Sequence, residues 1–265
     1  MAFLIPKRTL HRCIALLFLL AAILTTAGCP PCIDQLKKAQ DQFNAAYQEQ
    51  PSDEQAASQQ KAKFQQIVEQ VDKNTLLCLK DRDDLKVQAY AIDAFAKWGL
   101  RRYTDAMADA QKGQDLYEKA GKITNPRDYG MLLIVPGYAM HSQAHEEYEA
   151  RLKQGYMTMA EAKQFDRKIA NALDKIDTIN NKLSNNEEVV IRANQEQLRI
   201  VIDAIDMWSV GIKDRNDWEP EVRRWLARAE EIAKKFPSGD YSFKARTEEL
   251  LKKIENIKKS LGQAK

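Results

Sequence analysis

Cysteine and histidine carry the most particular chemistry in this chain. Its 265 residues include four cysteines, Cys13, Cys29, Cys32 and Cys78, and three histidines. Cys29 and Cys32 bracket two prolines in TTAGCPPCIDQLKKAQ, residues 25–40. A Cys-x-x-Cys spacing suits a redox pair, a metal clamp or a processing site. His141 and His145 stand four apart with Glu149 four further on, so a helix places all three on one face, a spacing that can hold Zn²⁺. The row lacks the His-Glu-x-x-His order of a metalloprotease, and with Glu146 and Glu147 alongside it reads as a solvated face without a metal.

Little else promises bond-making. General acids need burial or a partner to tune them, whereas Asp83-Asp84, Glu146-Glu147 and Glu248-Glu249 sit among surface-type charges. The ten glycines are isolated, so neither a dinucleotide fingerprint nor a P-loop is present. Few histidines leave little scope for Ser-His or Cys-His catalysis. The expectation is a protein that is not an enzyme and uses no cofactor.

The elements around the cysteines give them their meaning. Residues 1–28 run from a basic patch (Lys7, Arg8, His11, Arg12) through the apolar run 14–24 to the small residues Thr25, Thr26, Ala27 and Gly28, the grammar of a signal peptide. That run is short for the ~30 Å of hydrocarbon a transmembrane helix must cross. Thr26-Ala27-Gly28-Cys29 resembles the lipobox of bacterial lipoproteins, although leucine is usual where Thr26 stands. The resemblance implies that Cys29 becomes the acylated N-terminus and that the membrane is a partner through this anchor. Several acyl chains, at ~0.8 kcal/mol per buried CH₂, hold a protein on a bilayer far better than one does. Pro30 stands where inner-membrane retention signals have Asp, so the expected location is the periplasmic side of the outer membrane.

Lipidation of Cys29 removes the redox reading, because its sulfur becomes a thioether. Cys13 leaves with the leader, so Cys32 and Cys78 remain, and in an oxidising periplasm two thiols tend to pair. A hairpin turning near Pro51 brings them towards each other; a buried free Cys78 within Leu76-Leu77-Cys78-Leu79 is the alternative. Removal of Lys7, Arg8 and Arg12 from the 41 basic residues leaves 38, equal to the 38 acidic ones. A neutral body disfavours nucleic acid as a partner, since phosphate binding needs an excess of Lys and Arg.

Scattered Gly and Pro and the absence of long alternating runs predict an all-α fold. Helices are expected over about 33–49, 53–79, 83–99 and 103–120, the last stopped by Gly121. Asn125-Pro126 caps the next, which Pro136 should kink or split. Thr158 with Glu161, and Ser184 with Glu187, read as capping boxes opening two long helices. Ala162, Phe165, Ile169, Ala172, Ile176 and Ile179 on one, and Ile191, Leu198, Val201, Ile205 and Trp208 on the other, repeat in steps of three and four. They predict a coiled-coil-like antiparallel hairpin over about 158–213, with Asn194 opposite Ile176 at a wet rim. A further helix is expected from Asp217–Pro220 to Phe236, and a final one over about 241–260. The leader ends at 28; residues 29–155 form N-terminal helical pairs and 156–265 the long hairpin plus a last pair, or 29–265 forms one continuous domain.

Two stretches look like tetratricopeptide repeats. In AYAIDAFAKWGLRRYTDAMADAQKG, Ala91, Ala94, Ala106 and Ala110 permit close helix approach. ARAEEIAKKFPSGDYSFKARTEELLKKI resembles the repeats of the barrel-assembly lipoprotein family, with an aromatic-Pro-Ser corner and then Ala245. Such pairs cannot bury their faces alone, so they stack into an array with a concave surface. No clean 34-residue period is present, which leaves a generic helical bundle as the rival.

Two functions follow. The first is a scaffold or adaptor in an envelope assembly or secretion complex; Trp218, Trp225, Tyr241 and Phe243 cluster with Arg223 and Arg224 around one helical corner, where the aromatics read mostly as core and otherwise as a groove for an envelope protein's helix or extended peptide. The second resembles the tetratricopeptide lipoproteins associated with TRAP-type transporters, with a small-molecule ligand inside the array. A deep, partly apolar pocket favours the second, and a shallow aromatic groove the first.

Overall fold

Asp53, Asn125, Thr158, Asn186 and Asp214 each turn a side-chain oxygen onto a backbone N–H two or three residues ahead, satisfying donors that a helix leaves orphaned. These caps set the starts of half the helices in the computed structural model, which describes residues 30–49, 51–120, 125–241 and 243–263. The elements are α1 (Pro30–Gln48), α2 (Glu54–Gln70), a π-helical turn (Val71–Thr75), α3 (Leu76–Leu79), α4 (Asp83–Gly99), α5 (Tyr103–Ala120), α6 (Pro126–Leu152), α7 (Met159–Lys182), α8 (Glu187–Gly211), α9 (Arg215–Ala233) and α10 (Lys244–Gln263). No strand occurs among the described residues. The leader, Cys29 and Gly121 lie outside them.

The fold is the expected all-α array of helical hairpins. α1 pairs with α2, α4 with α5, α6 with α7 and α8 with α9; each pair leans on the next, and α10 closes the series against α8 and α9. One contiguous core runs from Cys32 to Leu261. Residue 155 lies in the turn of the α6–α7 hairpin, where Arg151 reaches across to the Glu161 carboxylate at 2.7 Å. No helix among the described residues is long and apolar enough to cross a membrane. Cys32, opening α1, and Cys78, in α3, are joined by a disulfide with their Cα atoms 5.5 Å apart.

The central helix departs from expectation. Pro136 does not split α6, which runs unbroken through it. Proline removes the N–H that would bond to the carbonyl four residues back. That carbonyl, on Leu132, instead accepts a hydrogen bond from Gln114 Nε2 at 2.8 Å. Gly113 makes the approach possible: a Cβ there would lie 2.7 Å from Leu132 Cδ1. α6 buries residues on all sides, and Gly137 lets α7 close in, since a Cβ would meet Ile176 Cγ1 at 2.4 Å.

Four smaller corrections concern helix ends and one buried amide. Asn186, not Ser184, caps α8, by accepting from the Val189 N–H. α9 begins at Arg215 behind its Asp214 cap, ahead of Asp217. The helix after Asp53 is interrupted by the π-helical turn, which brings Asp72 to 3.1 Å from Lys97. Asn194 is not at a wet rim but fully buried, with its Oδ1 accepting from Asn180 Nδ2 at 3.2 Å. The seam of the α7–α8 hairpin is otherwise buried as patterned, except that half-buried Phe165 meets Tyr148 of α6 edge-on at 6.2 Å.

Candidate functional site

The first helices of the hairpins, α1, α4, α6 and α8, form an inner layer, and with α10 they enclose a cavity of about 450 Å³. Each helix presents one stripe at helical spacing. α1 contributes Gln40, Phe43, Asn44 and Tyr47, and α4 contributes Gln88 and Phe95. α6 supplies Arg127, Met131, Ile134 and Tyr138; α8 supplies Glu188, Arg192, Gln195 and Glu196. Arg246 of α10 completes the rim. α6 and α8 approach closely beside it, because a Cβ on Gly130 would lie 2.5 Å from Val189 Cγ1.

One wall is aromatic. Phe95 meets Phe43 edge-on at 6.0 Å, Tyr138 at 5.8 Å and Tyr47 at 6.0 Å, so the rings hold one another in fixed orientations. The opposite wall is charged. Glu196 is buried there, and its carboxylate accepts from Arg199 Nε at 2.8 Å and Arg246 Nη2 at 2.6 Å. Arg199 also reaches Asp203 at 3.3 Å, and Asp203 lies 3.2 Å from His141 Nε2. Burial, followed by the nearby Glu196 carboxylate, raises the pKa values of Tyr47 and Tyr138, so both phenols keep their protons near neutrality. Burial pushes the Asp128 carboxyl, at the cavity's edge, up to about 6.

The lip is pinned from α8. Gln195 Nε2 donates to the Phe243 carbonyl at 3.0 Å and to Thr247 Oγ1 at 2.9 Å. The Arg192 guanidinium stacks 4.2 Å above the Phe243 ring, an arrangement that holds a cation by its attraction to the ring face. No Ser, Thr, Cys, His or Lys is among the described residues lining the cavity. An apolar wall thus faces convergent polar groups, the combination on which small-molecule sites are built.

The residues singled out from sequence fall elsewhere. Trp225 is 2% exposed, so it is a core residue and cannot meet a partner. Its indole and that of Trp208 both donate to Asp166 Oδ1, at 2.7 and 2.8 Å, and Arg224 grips the same carboxylate with two contacts of 2.7 Å. Arg223 is engaged by Glu219 at 2.5 Å. Trp218 is half-buried with Arg215 above its ring, and Tyr241 stacks on Phe236. None of the six is among the residues lining the cavity, although Phe243 touches two that are, Arg192 and Gln195. His141 is buried, in contrast to the solvated face expected of it, and burial lowers its pKa. His145 points outward to Glu149 at 3.2 Å, and no metal-holding group of three or more His, Cys, Asp or Glu occurs among the described residues.

The sequence reading missed the cavity residues and a buried charge knot. Lys97 Nζ lies 2.6 Å from Asp93 and 2.5 Å from Asp109, tying α4 to α5. Burial above all, with the neighbouring Asp72 and Asp109 carboxylates adding to it, leaves the fully buried Asp93 with its pKa raised despite Lys97. A signal for the cavity was present in α8, where Glu188, Arg192, Gln195 and Arg199 repeat at helical spacing on the side away from the hydrophobic seam. No protein-family model matches this sequence, and no curated protein and no solved structure matches it.

Proposed function

We propose that this chain is a lipid-anchored, periplasm-facing envelope protein that holds a small molecule within its helical array, in the manner of the ligand-binding accessory lipoproteins of transport systems. The observation that carries this reading is the cavity of about 450 Å³ between the inner helices. Its volume lies in the range of small-molecule sites, and such sites pair apolar walls with a few fixed polar groups. The adaptor reading needs an open aromatic corner, but Trp225 is buried. The anchor rests on the signal-like leader and the lipobox-like Thr26-Ala27-Gly28-Cys29. A tether of this kind keeps the binding site beside membrane partners and raises its effective concentration there.

Two measurements test the two halves of this proposal. Protein extracted from membranes in mild detergent and examined by native mass spectrometry should carry a non-covalent adduct, and Met131→Trp, which fills the cavity, should remove it. Cys29→Ala should move the protein from the membrane fraction to the soluble one. An adduct indifferent to Met131→Trp sinks the binding site, and unchanged fractionation of Cys29→Ala sinks the anchor.

A further inference from the structure

We infer that the cavity takes an organic anion with an apolar body, its charged end received between Arg192 of α8 and Arg246 of α10 and its body laid against Phe43, Phe95, Ile134 and Tyr138. This rests on the ligand-binding reading above and adds the chemical class of the ligand.

The two guanidinium groups stand together for a structural reason. Arg192 and Glu196 are one turn apart on α8, and Phe243 and Arg246 are one turn apart where α10 begins. Arg192 packs on Phe243 at 4.2 Å while Arg246 bonds to Glu196 at 2.6 Å, so the crossed pairs set both cations at one lip. Tyr47 of α1 faces this group from across the opening, close enough for Glu196 and the arginines to act on its phenol.

The hydrogen-bond inventory decides the sign of the ligand. Buried polar atoms are normally paired, so an orphan marks what a site lacks. Among the described residues that line the cavity, the buried side-chain polar atom without a partner is a donor, Arg192 Nε. Arg127 is a second donor with no carboxylate in ion-pair range among the described residues. The acceptors are spoken for: Glu196 by Arg199 and Arg246, Glu188 by Arg192 at 3.2 Å, and Asp128 by Asn125 at 2.7 Å. A cationic ligand would compete with arginines for carboxylates that are already paired, whereas an anion can accept from the guanidinium N–H groups of Arg192 and Arg246 that these pairs leave over, since each arginine carries five. The apolar wall then sets the second requirement: Phe43, Phe95 and Ile134 line the cavity although only 3–7% exposed, and they offer an organic body van der Waals contacts that a bare inorganic anion cannot use.

Isothermal titration calorimetry of the whole protein with octanoate, octyltrimethylammonium, octyl glucoside and acetate separates the possibilities. Octanoate should bind at one site, more tightly than the cationic and neutral octyl compounds, and acetate should give no measurable heat. Arg192→Gln should weaken octanoate about tenfold, the size expected for losing one charge-assisted hydrogen bond. It should leave octyl glucoside unchanged, and Arg246→Gln should act in the same direction. Met131→Trp should abolish octanoate binding. If octyltrimethylammonium or octyl glucoside matches octanoate at a site that Met131→Trp blocks, the anion is wrong and the binding cavity stands. If no octyl compound binds, or if octanoate ignores Met131→Trp, both the class and the cavity reading fall.

Discussion

Asp128→Asn measures how dry the cavity's edge is. Asp128 lies in the first turn of α6, 7% exposed, with its Oδ2 accepting from Asn125 Nδ2 at 2.7 Å. Burial raises its pKa to about 6, against the opposing pull of Arg127 and Asn125. The unfolded chain ionises the same group near 3.9, the ordinary value (about 3.9) for aspartate. Between those two values the fold retains a proton that the unfolded chain has released. Stability from this group is therefore complete below the lower value and is lost as pH rises through about 6. A gap of about two on the pH scale, at about 1.4 kcal/mol for each, makes the loss about 3 kcal/mol. Asparagine keeps the shape and an acceptor for Asn125 but does not titrate. Urea unfolding followed by tryptophan fluorescence, with the disulfide intact, should find the two proteins within about 1 kcal/mol of each other at pH 4. At pH 8 the variant should be more stable by about 2–3 kcal/mol. Glu161 and Asp177, whose pKa values are lowered to about 2, are common to both proteins and cancel in the comparison. A difference that stays flat from pH 4 to pH 8, or a wild type that gains on the variant as pH rises, would refute the reasoning.

Two further outcomes follow from single contacts. Gln114→Leu keeps the volume but strands the Leu132 carbonyl beneath Pro136, so urea unfolding should show a loss of about 1–3 kcal/mol, and an unchanged midpoint would mean that the carbonyl has another partner. Cys78→Ser opens a loop spanning 46 residues. The chain-entropy relation gives a loss of about 4 kcal/mol, and the same shift in unfolding midpoint should appear when the wild type is reduced.

Helix positions were legible because they depend on local physics. Asp53, Asn125 and Thr158 cap their helices as the sequence indicates, since a cap needs only its own side chain and backbone a few residues ahead. The α7–α8 seam was legible for the same reason, because a three-and-four repeat shows its buried face without knowledge of the partner. Pro136 and Asn194 were misread because their missing partners, Gln114 and Asn180, come from other helices. At the aromatic corner the choice between core and groove also needed tertiary partners. The sequence reads those aromatics mostly as core and otherwise as a groove, and Asp166 draws Trp208 and Trp225 inward from two helices.

Composition and periodicity alone determined an all-helical, charge-balanced body of stacked hairpins, with a lipobox-like cysteine ahead of it. Tertiary structure alone decided that stripes from the four inner-layer helices converge on one cavity, and that its orphaned group is an arginine donor. The reason is geometric. A helix's face follows from residues three and four apart, but a cavity is defined by what several helices leave unfilled, and that depends on how closely Gly113, Gly130 and Gly137 let those helices approach.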